Sequence, residues 1–231
     1  MNHAVIFGGS GFIGQHLVES LVSKGISVTV ADLTQPRSKN ELIDFQRVDV
    51  RNRIELEKSV PPNSVVYNLA AVHRTPGHPE HEYYETNVLG ALNITAWAAA
   101  TQIESICFTS SIAVYGPSET TKNEFSLPLP NTAYGRSKLL AERIHQSWRE
   151  AKRGRQLVIV RPAVIFGPGE NGNFTKLADA LKRRRFFYPG RDDTVKACGY
   201  ISDFVRALDF GLQQQQGRDG VQLLLSGQLQ H

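Results

Sequence analysis

Three glycines, each separated from the next by two residues, follow a short apolar run at the start of the chain. Gly8, Gly11 and Gly14 come directly after residues 3–7, and residues 12–24 are predicted to be helical. The turn requires residues without a Cβ atom, because the backbone must approach a bound group closely. The helix that begins there directs its first N–H groups at an anion. A strand, a glycine loop and a helix in this order predict an α/β fold with a site for the diphosphate of a dinucleotide.

Strand and helix patterns alternate along most of the chain. Strands are predicted at residues 3–7, 27–31, 45–50, 64–69, 104–109, 156–160 and 221–225. Helices are predicted at residues 12–24, 51–59, 80–101, 133–152, 174–185 and 202–212. This alternation favours an α/β fold with a doubly wound parallel (Rossmann-type) sheet, in which every strand ends at one crevice that binds ligands.

The sequence changes character after Pro162, where glycine, proline and asparagine accumulate in residues 167–173. We therefore predict a nucleotide-binding domain at residues 1–165 and a small, incomplete C-terminal substrate annex at residues 166–231. A basic run at residues 182–185 is interpreted as the solvated end of a helix, with contact to a substrate phosphate as the alternative.

A single carboxylate bears on which dinucleotide is bound. Asp32 follows the second predicted strand at the distance from the glycine loop where an acidic side chain can accept hydrogen bonds from the adenosine ribose. A carboxylate there would repel a 2′-phosphate, so the sequence favours NAD over NADP. Arg37 lies close enough in sequence to leave NADP as an alternative.

A tyrosine and a lysine four positions apart supply groups that can move a proton. Tyr134 and Lys138 lie on one face of a predicted helix, and Ser111 follows the fifth predicted strand. Free tyrosine has a pKa of about 10, so a phenolate at neutral pH needs a nearby ammonium and a cationic nicotinamide to lower that pKa. Tyr134 could then accept the proton of a substrate hydroxyl while Ser111 holds the same oxygen, which is alcohol–ketone redox chemistry.

Composition excludes several other classes of protein. The chain has 231 residues, 41% of them apolar and 21% charged, with a net charge of +4, as expected for a globular α/β protein. No nucleic-acid motif, membrane-spanning run or metal-ligand spacing occurs in the sequence, so we expect no nucleic acid, membrane or metal partner. Only two cysteines are present; Cys107 is predicted to be a buried thiol. The short segment before the first strand leaves no room for a signal peptide, and we expect a cytoplasmic protein.

Ordered motifs along the chain carry a family resemblance. They are GGSGFIG at 8–14, Asp32, Asp49-Val50, NLAA at 68–71, TNVLG at 86–90, SSIAVYG at 110–116, YGRSK at 134–138, Arg161-Pro162, GPG at 167–169 and YISD at 200–203. With these motifs the chain resembles an extended short-chain dehydrogenase/reductase of the NAD-dependent epimerase/dehydratase family, which acts on nucleotide sugars.

The resemblance implies roles for individual residues. Ser111, Tyr134 and Lys138 would be catalytic. NAD would be bound by Gly8, Gly11, Phe12, Ile13, Gly14, Asp32, Asp49, Val50, Leu69, Ala70 and Ala71, together with Tyr134 and Lys138, with Asp49 and Val50 at the adenine. The substrate would be a nucleotide sugar. A homodimer packed through the predicted helices at residues 80–101 and 133–152 is also implied.

Departures from the family pattern narrow the expected reaction. The Asp-Glu pair that serves sugar-nucleotide dehydratases is replaced by Ile112 and Ala113, which argues against a dehydratase. We therefore expect an NAD-dependent epimerase that transiently oxidises C4 of a nucleotide-activated sugar, with Tyr134 as the base. A keto-sugar nucleotide reductase and an NAD-binding protein without turnover are the alternatives.

Three further features bear on the substrate site. Lys196 stands where relatives often carry an arginine for the substrate pyrophosphate, so it keeps the charge but loses the bidentate fork. The chain also ends earlier than its relatives, which favours an incomplete substrate region. His73 follows the fourth predicted strand, and it either faces the substrate or is a solvated loop residue.

Overall fold

A computed structural model describes residues 2–59, 65–74, 77–170, 172–185, 197–214 and 221–226. The nine strands in these residues are β1 (His3–Phe7), β2 (Ser27–Asp32), β3 (Ile43–Arg47), β4 (Val65–Asn68), β5 (Ser105–Thr109), β6 (Gln156–Pro162), β7 (Val164–Phe166), β8 (Cys198–Tyr200) and β9 (Val221–Ser226). The α-helices are α1 (Phe12–Ser23), α2 (Arg53–Ser59), α3 (Glu80–Tyr83), α4 (Gly90–Ala100), α5 (Ala133–Glu150), α6 (Asn173–Lys182) and α7 (Ile201–Gln214). None of the described helices is long and apolar enough to cross a membrane.

Seven strands form one sheet in the order β3-β2-β1-β4-β5-β6-β9, and every pair in it is parallel. The predicted doubly wound parallel sheet is therefore confirmed. The order reverses between β1 and β4, so the turns that leave these two strands diverge and open a crevice at their carboxyl ends. The glycine loop follows β1, and residues 69–71 follow β4.

Both faces of the sheet are buried. On one face the largest side chain is Trp97 of α4, whose ring meets Phe7 edge-on at 5.6 Å between centroids. On the other face, α1 and α7 pack through Leu17, Leu21 and Phe204. This two-sided burial explains why the strands contain nearly continuous apolar runs rather than an alternation of polar and apolar residues.

Two parts of the sheet region differ from the prediction. The third strand is Ile43–Arg47 rather than residues 45–50, because Val48 and Val50 are buried in the turn beyond the strand and not in the sheet. The short parallel pair of β7 and β8 was not predicted. Three-residue strands carry too little periodicity to be detected in a sequence.

The predicted helix at 80–101 is one continuous helical run with a change of pitch inside it. Tyr84–Leu89 has the i→i+5 hydrogen bonding of a π-helix between α3 and α4. Such insertions are rare and cluster at functional sites. The predicted domain division at residue 165 stays a prediction; β9, from the second part, pairs with β6 in the main sheet.

Candidate active site

The turn after β1 is shaped by two glycines that touch neighbouring backbone. Gly8 has φ of +77°, and a Cβ there would lie 2.7 Å from the amide nitrogen of Ala70 and 2.8 Å from the carbonyl carbon of Leu69. A Cβ on Gly14 would lie 2.6 Å from the Cα of Gly9. Both distances are far inside van der Waals contact, so only glycine allows the loop to lie this close to residues 69–71 and to its own helix.

The N-terminus of α1 and the end of β2 meet at this loop. Gly11 is the N-cap of α1 and provides no side-chain acceptor, so the first-turn amides, which include those of Phe12 and Ile13, remain available to an anion. The Asp32 carboxylate accepts hydrogen bonds from the backbone N–H of Ser10 at 3.0 Å and of Thr34 at 3.1 Å. These bonds hold the carboxylate against the glycine loop, where a ribose would lie.

Asp49 and Val50 make contacts within the protein. Arg51 donates to both carboxylate oxygens of Asp49, at 2.7–3.1 Å, and its hydrogen bonds hold the pKa of Asp49 below the usual range. The carbonyl of Val50 accepts from Asn93 at 2.9 Å, and the side chain of Val50 is buried beneath Gly90. A role at the adenine stays a prediction for both residues.

Ser111 and Tyr134 are brought together by a close approach of two helices. Ser111 caps a 3-10 helix at Ile112–Tyr115, and its hydroxyl accepts from the N–H of Ala113 at 3.1 Å. A Cβ on Gly135 would overlap the carbonyl oxygen of Ala113 and lie 3.1 Å from its carbonyl carbon. Because residue 135 is glycine, this 3-10 helix packs directly on α5, which brings the Ser111 hydroxyl close enough to Tyr134 to influence its pKa.

Burial shifts the pKa values of Tyr134 and Lys138, both on α5, in opposite directions. It raises the pKa of Tyr134, and the Ser111 hydroxyl lowers that pKa by less. It also lowers the pKa of Lys138 to about 7, although the Glu142 carboxylate acts against the change. In the chain's own residues, desolvation disfavours both the phenolate and the ammonium. The expectation that Lys138 and a cationic nicotinamide together lower the pKa of Tyr134 stays a prediction.

An aromatic stack supports Lys138 from the sheet. The ammonium lies 4.7 Å from the centroid of the Phe108 ring, and that ring stacks on His145 at 4.2 Å between centroids. His145 donates from Nδ1 to the carbonyl of Ala141 at 2.7 Å and accepts at Nε2 from the Asn68 amide at 3.3 Å. This tautomer is neutral, and burial lowers the pKa of His145 to about 4.

Asn87, inside the π-helical segment, connects the segment after β4 to α5. Its amide accepts from the N–H of Val72 at 2.9 Å and donates to the carbonyl of Val72 at 3.1 Å. It also donates to the hydroxyl of Ser137 at 2.9 Å. Tyr83 adds a hydrogen bond to the carbonyl of Arg74. These contacts fix residues 71–74 beside the helix that carries Tyr134.

Glu142 and Arg161 form a buried ion pair next to this site. Arg161 donates to the two carboxylate oxygens of Glu142 at 2.8 and 2.6 Å, and the Ser110 hydroxyl donates to the same carboxylate at 2.5 Å. Burial works to lower the pKa of Arg161, but the hydrogen bonds and charge of Glu142 outweigh it and raise that pKa.

The arrangement resembles known proteins in both sequence and structure. The sequence profile of the NAD-dependent epimerase/dehydratase family matches residues 4–223. The chain belongs to this family. Its fold class and its family were thus predicted correctly, and NAD is the cofactor of the family.

The relatives of this family member are sugar 4-epimerases and related enzymes. The N-acetyl-alpha-D-glucosaminyl-diphospho-ditrans,octacis-undecaprenol 4-epimerase of Escherichia coli O157:H7 is 31% identical over 213 residues, which cover 92% of this chain and 63% of that protein. The UDP-glucose 4-epimerase of Neisseria meningitidis is 32% identical over 189 residues, or 74% of this chain and 56% of the relative. The chain therefore spans about 60% of the length of these relatives.

A solved structure agrees with the sequence relatives. MoeE5 in complex with UDP-glucose and NAD matches with a TM-score of 0.82 at 26% identity, covering 97% of this chain and 76% of that one. In this chain, the Gly8 contact with Ala70, the uncapped amides of α1 and the oriented Asp32 carboxylate fit a dinucleotide. The family resemblance and the local geometry therefore point to the same crevice.

Three further features of the sequence concern the substrate site: Lys196, the basic run at 182–185 and His73. Lys196 lies outside the described residues, and the basic run at 182–185 is solvent-exposed at the end of α6. Partial burial lowers the pKa of His73, and the charges of Arg74 and Lys138 add to this effect, so His73 lies within electrostatic reach of Lys138 on α5. Its participation in catalysis stays a prediction.

Sequence reasoning assigned no role to Asn87, Glu142 or Arg161. Asn87 and Arg161 belong to motifs that carried the family resemblance, and Glu142 is one helical turn beyond Lys138. The spacing of Glu142 was a usable signal for a contact near Lys138. A π-helical insertion and a partner on β6 have no local signature in the sequence.

Proposed function

We propose that this protein is an NAD-dependent epimerase that inverts C4 of a nucleotide-activated sugar. The observation that carries the proposal is the set of half-buried Ser111 and Tyr134 with buried Lys138 at the carboxyl edge of the sheet that also forms the dinucleotide cradle. Ile112 and Ala113, in the 3-10 helix beside Tyr134, offer no acid or base for the loss of water. The chemistry left to the site is reversible oxidation of an alcohol.

The chain's own groups handle the proton of the reacting hydroxyl. The Ser111 hydroxyl, close to Tyr134, orients the substrate oxygen, and Tyr134 takes its proton and later returns it. NAD, when bound, supplies a reversible acceptor for the hydride at C4 and a positive charge near Tyr134. Burial raises the pKa of Tyr134, so a proton transfer at neutral pH depends on the nearby positive charges.

Each remaining cofactor contact is assigned by its place around the crevice. The amides of Phe12, Ile13 and Gly14 would hold the diphosphate, with Gly11 allowing its close approach as the N-cap, and Asp32 would hold the adenosine ribose. Leu69, Ala70 and Ala71 would line the groove opposite Gly8. Asp49 and Val50 would border the adenine.

We further propose that two copies assemble through the outer faces of α4 and α5. Leu89, Leu92 and Leu140 are 41%, 48% and 46% exposed on these neighbouring helical segments. Leucines concentrated on two packed helices favour a second copy of the same surface, because a homodimer buries such a patch symmetrically.

Two free buried thiols, Cys107 and Cys198, support a cytoplasmic location.

The proposal is tested by incubating purified full-length protein with a panel of UDP- and dTDP-hexoses and N-acetylhexosamines. Product is resolved by chromatography and mass spectrometry, and absorbance at the NADH band is followed. A polyprenyl-diphosphate N-acetylhexosamine belongs in the panel because a relative acts on such a substrate. We expect interconversion of C4 epimers without net NADH consumption, and a loss of about 10³-fold in kcat with Tyr134→Phe.

The outcomes separate the rival functions. Net consumption of NADH or NADPH would identify a reductase instead. Tight NAD binding without turnover on the whole panel would reject the epimerase and favour a cofactor-binding protein. Tyr84→Phe, at a half-buried position on the neighbouring helical segment, is the matched control and should leave kcat within about twofold, because the Tyr84 hydroxyl has no part in the proposed proton transfer.

A further inference from the structure

The Glu142 carboxylate is positioned with little freedom to move. It is 1% exposed and lies one turn beyond Lys138 on the face of α5 that carries Tyr134. Three hydrogen bonds reach it, two from Arg161 at 2.8 and 2.6 Å and one from Ser110 at 2.5 Å. Charge-assisted bonds of this length are strong and directional.

Arg161 is itself held by three different elements. It lies in β6, its guanidinium forms a two-pronged contact with Glu142 of α5, and Nη1 donates to the hydroxyl of Tyr115 at 2.6 Å. Tyr115 ends the 3-10 helix that Ser111 caps. One side chain therefore connects the segment that carries Ser111 to the helix that carries Tyr134 and Lys138.

The pair has an electrostatic consequence for Lys138. An ammonium buried to 2% exposure loses its hydration, and Phe108 replaces only part of it. A carboxylate one turn away favours the charged form. That carboxylate is buried too, and Arg161 and Ser110 hold it in place, since a buried carboxylate that loses its partner is costly. The two residues thus act as one unit on the lysine.

We propose that Glu142 and Arg161 are positioning residues for the reaction. Arg161 holds the Glu142 carboxylate in place, and this carboxylate stabilises the ammonium of Lys138, one helical turn away, beside Tyr134. This inference rests on the proposed function, but the charge state of Lys138 can be measured without turnover.

Other groups also face Lys138 and belong in the interpretation of any titration. They are His145, and Tyr134 one turn before Lys138, on α5, and His73 after β4, while Arg161 of β6 contacts the far side of Glu142. Of these, His73 and His145 add positive charge only when protonated. Burial lowers the pKa of both, so near neutral pH Glu142 is the group whose removal changes the field most.

The experiment titrates Lys138 in the full chain by ¹³C NMR of lysine labelled at Cε, with the signal assigned from Lys138→Arg. We expect Glu142→Gln to lower the titration midpoint of Lys138 by about one pH unit, and Arg161→Lys to lower it by less. Glu142→Asp retains the charge and should restore most of the midpoint. Glu150→Gln removes an exposed carboxylate at the end of the same helix and should leave the midpoint unchanged.

Kinetics provide the second measurement. With Lys138 required as an ammonium, the alkaline limb of the kcat profile should move to lower pH by the same amount in Glu142→Gln. If the pair has only a structural role, Glu142→Gln and Arg161→Lys should lower the melting temperature but leave the titration midpoint of Lys138 at its wild-type value. That result would overturn the proposal. If the midpoint moves but no sugar is turned over, the epimerase proposal fails and the control of the Lys138 charge stands.

Discussion

The ring of Phe108 contacts both a cation and a neutral base. Lys138 places its ammonium 4.7 Å from the ring centroid, and His145 stacks on the same ring at 4.2 Å. Both side chains are buried, yet only Lys138 has a carboxylate that favours its charged form. His145 instead has a backbone acceptor and an amide donor that suit a neutral ring. The hydrogen-bonding partners of each residue thus decide which one carries the charge.

This difference predicts a pH dependence of stability that comes from His145. Its pKa in the fold is about 4, below the ordinary value of 6.5. Above pH 6.5 neither state is protonated, but as the pH falls the unfolded chain binds a proton that the folded chain rejects. The free energy of unfolding should therefore decrease between about pH 6.5 and pH 4, by about 3 kcal/mol from this residue.

His145→Gln keeps a donor and an acceptor but does not titrate. Urea unfolding followed at several pH values should show a flatter pH dependence for this variant than for the wild type. His81→Gln, at an exposed position on α3, is the control and should retain the wild-type slope. Equal slopes in all three proteins would show that His145 is not the residue responsible.

At the scale of elements, the contact between the 3-10 helix and α5 depends on residue 135. Gly135→Ala would place a methyl group against the carbonyl of Ala113. Helix propensity alone favours alanine by up to about 1 kcal/mol, so a loss of stability would report the clash. We expect kcat to fall by about 10–100-fold as Ser111 moves away from Tyr134, with NAD affinity retained.

Arg136→Ala, at an exposed neighbouring position on α5, is the comparison for this prediction. It should leave kcat within about twofold of the wild type. Steady-state kinetics and NAD titration calorimetry separate the two effects. Unchanged kcat in Gly135→Ala would mean that the approach of the two helices does not position Ser111.

The elements themselves were largely predictable because their signals are local. The glycine loop, β1, β5 and α5 follow from spacing and apolar runs, and the structure places them within two residues of the expected bounds. The bounds of β3 were wrong because a buried turn has the same apolar composition as a strand. The ion pair of Glu142 with Arg161 could not be predicted, since it depends on which strand lies beneath α5.

The charge states in the site were not predictable for a related reason. A Tyr134–Lys138 spacing indicates a shared helical face, but burial decides the direction of both pKa shifts. Burial is a property of the assembled layers, in which α5 is covered by the sheet and by the π-helical segment. The sequence therefore indicated which ionisable groups share a helical face, and the structure was needed for the direction of their pKa shifts.

At the scale of the whole molecule, exposed leucines on α4 and α5 predict its assembly state. Leu92→Glu, at the centre of the proposed interface, should convert a dimer to a monomer in sedimentation-velocity measurements, because burying an unpaired carboxylate is costly. Leu127→Glu, in an exposed segment at 72% exposure, is the control and should remain dimeric. A monomeric wild-type protein, or a dimeric Leu92→Glu, would contradict the proposed interface.

The order of the strands in the sheet also has a consequence for how the protein is made. β6 pairs with β5 on one side and with β9 on the other, and β9 is the last of the described strands to leave the ribosome. Until residues 221–226 have been synthesised, β6 presents an open edge whose backbone groups can pair with a strand of another chain. During synthesis this edge of β6, the strand that carries Arg161, is open to pairing with another chain or to a chaperone.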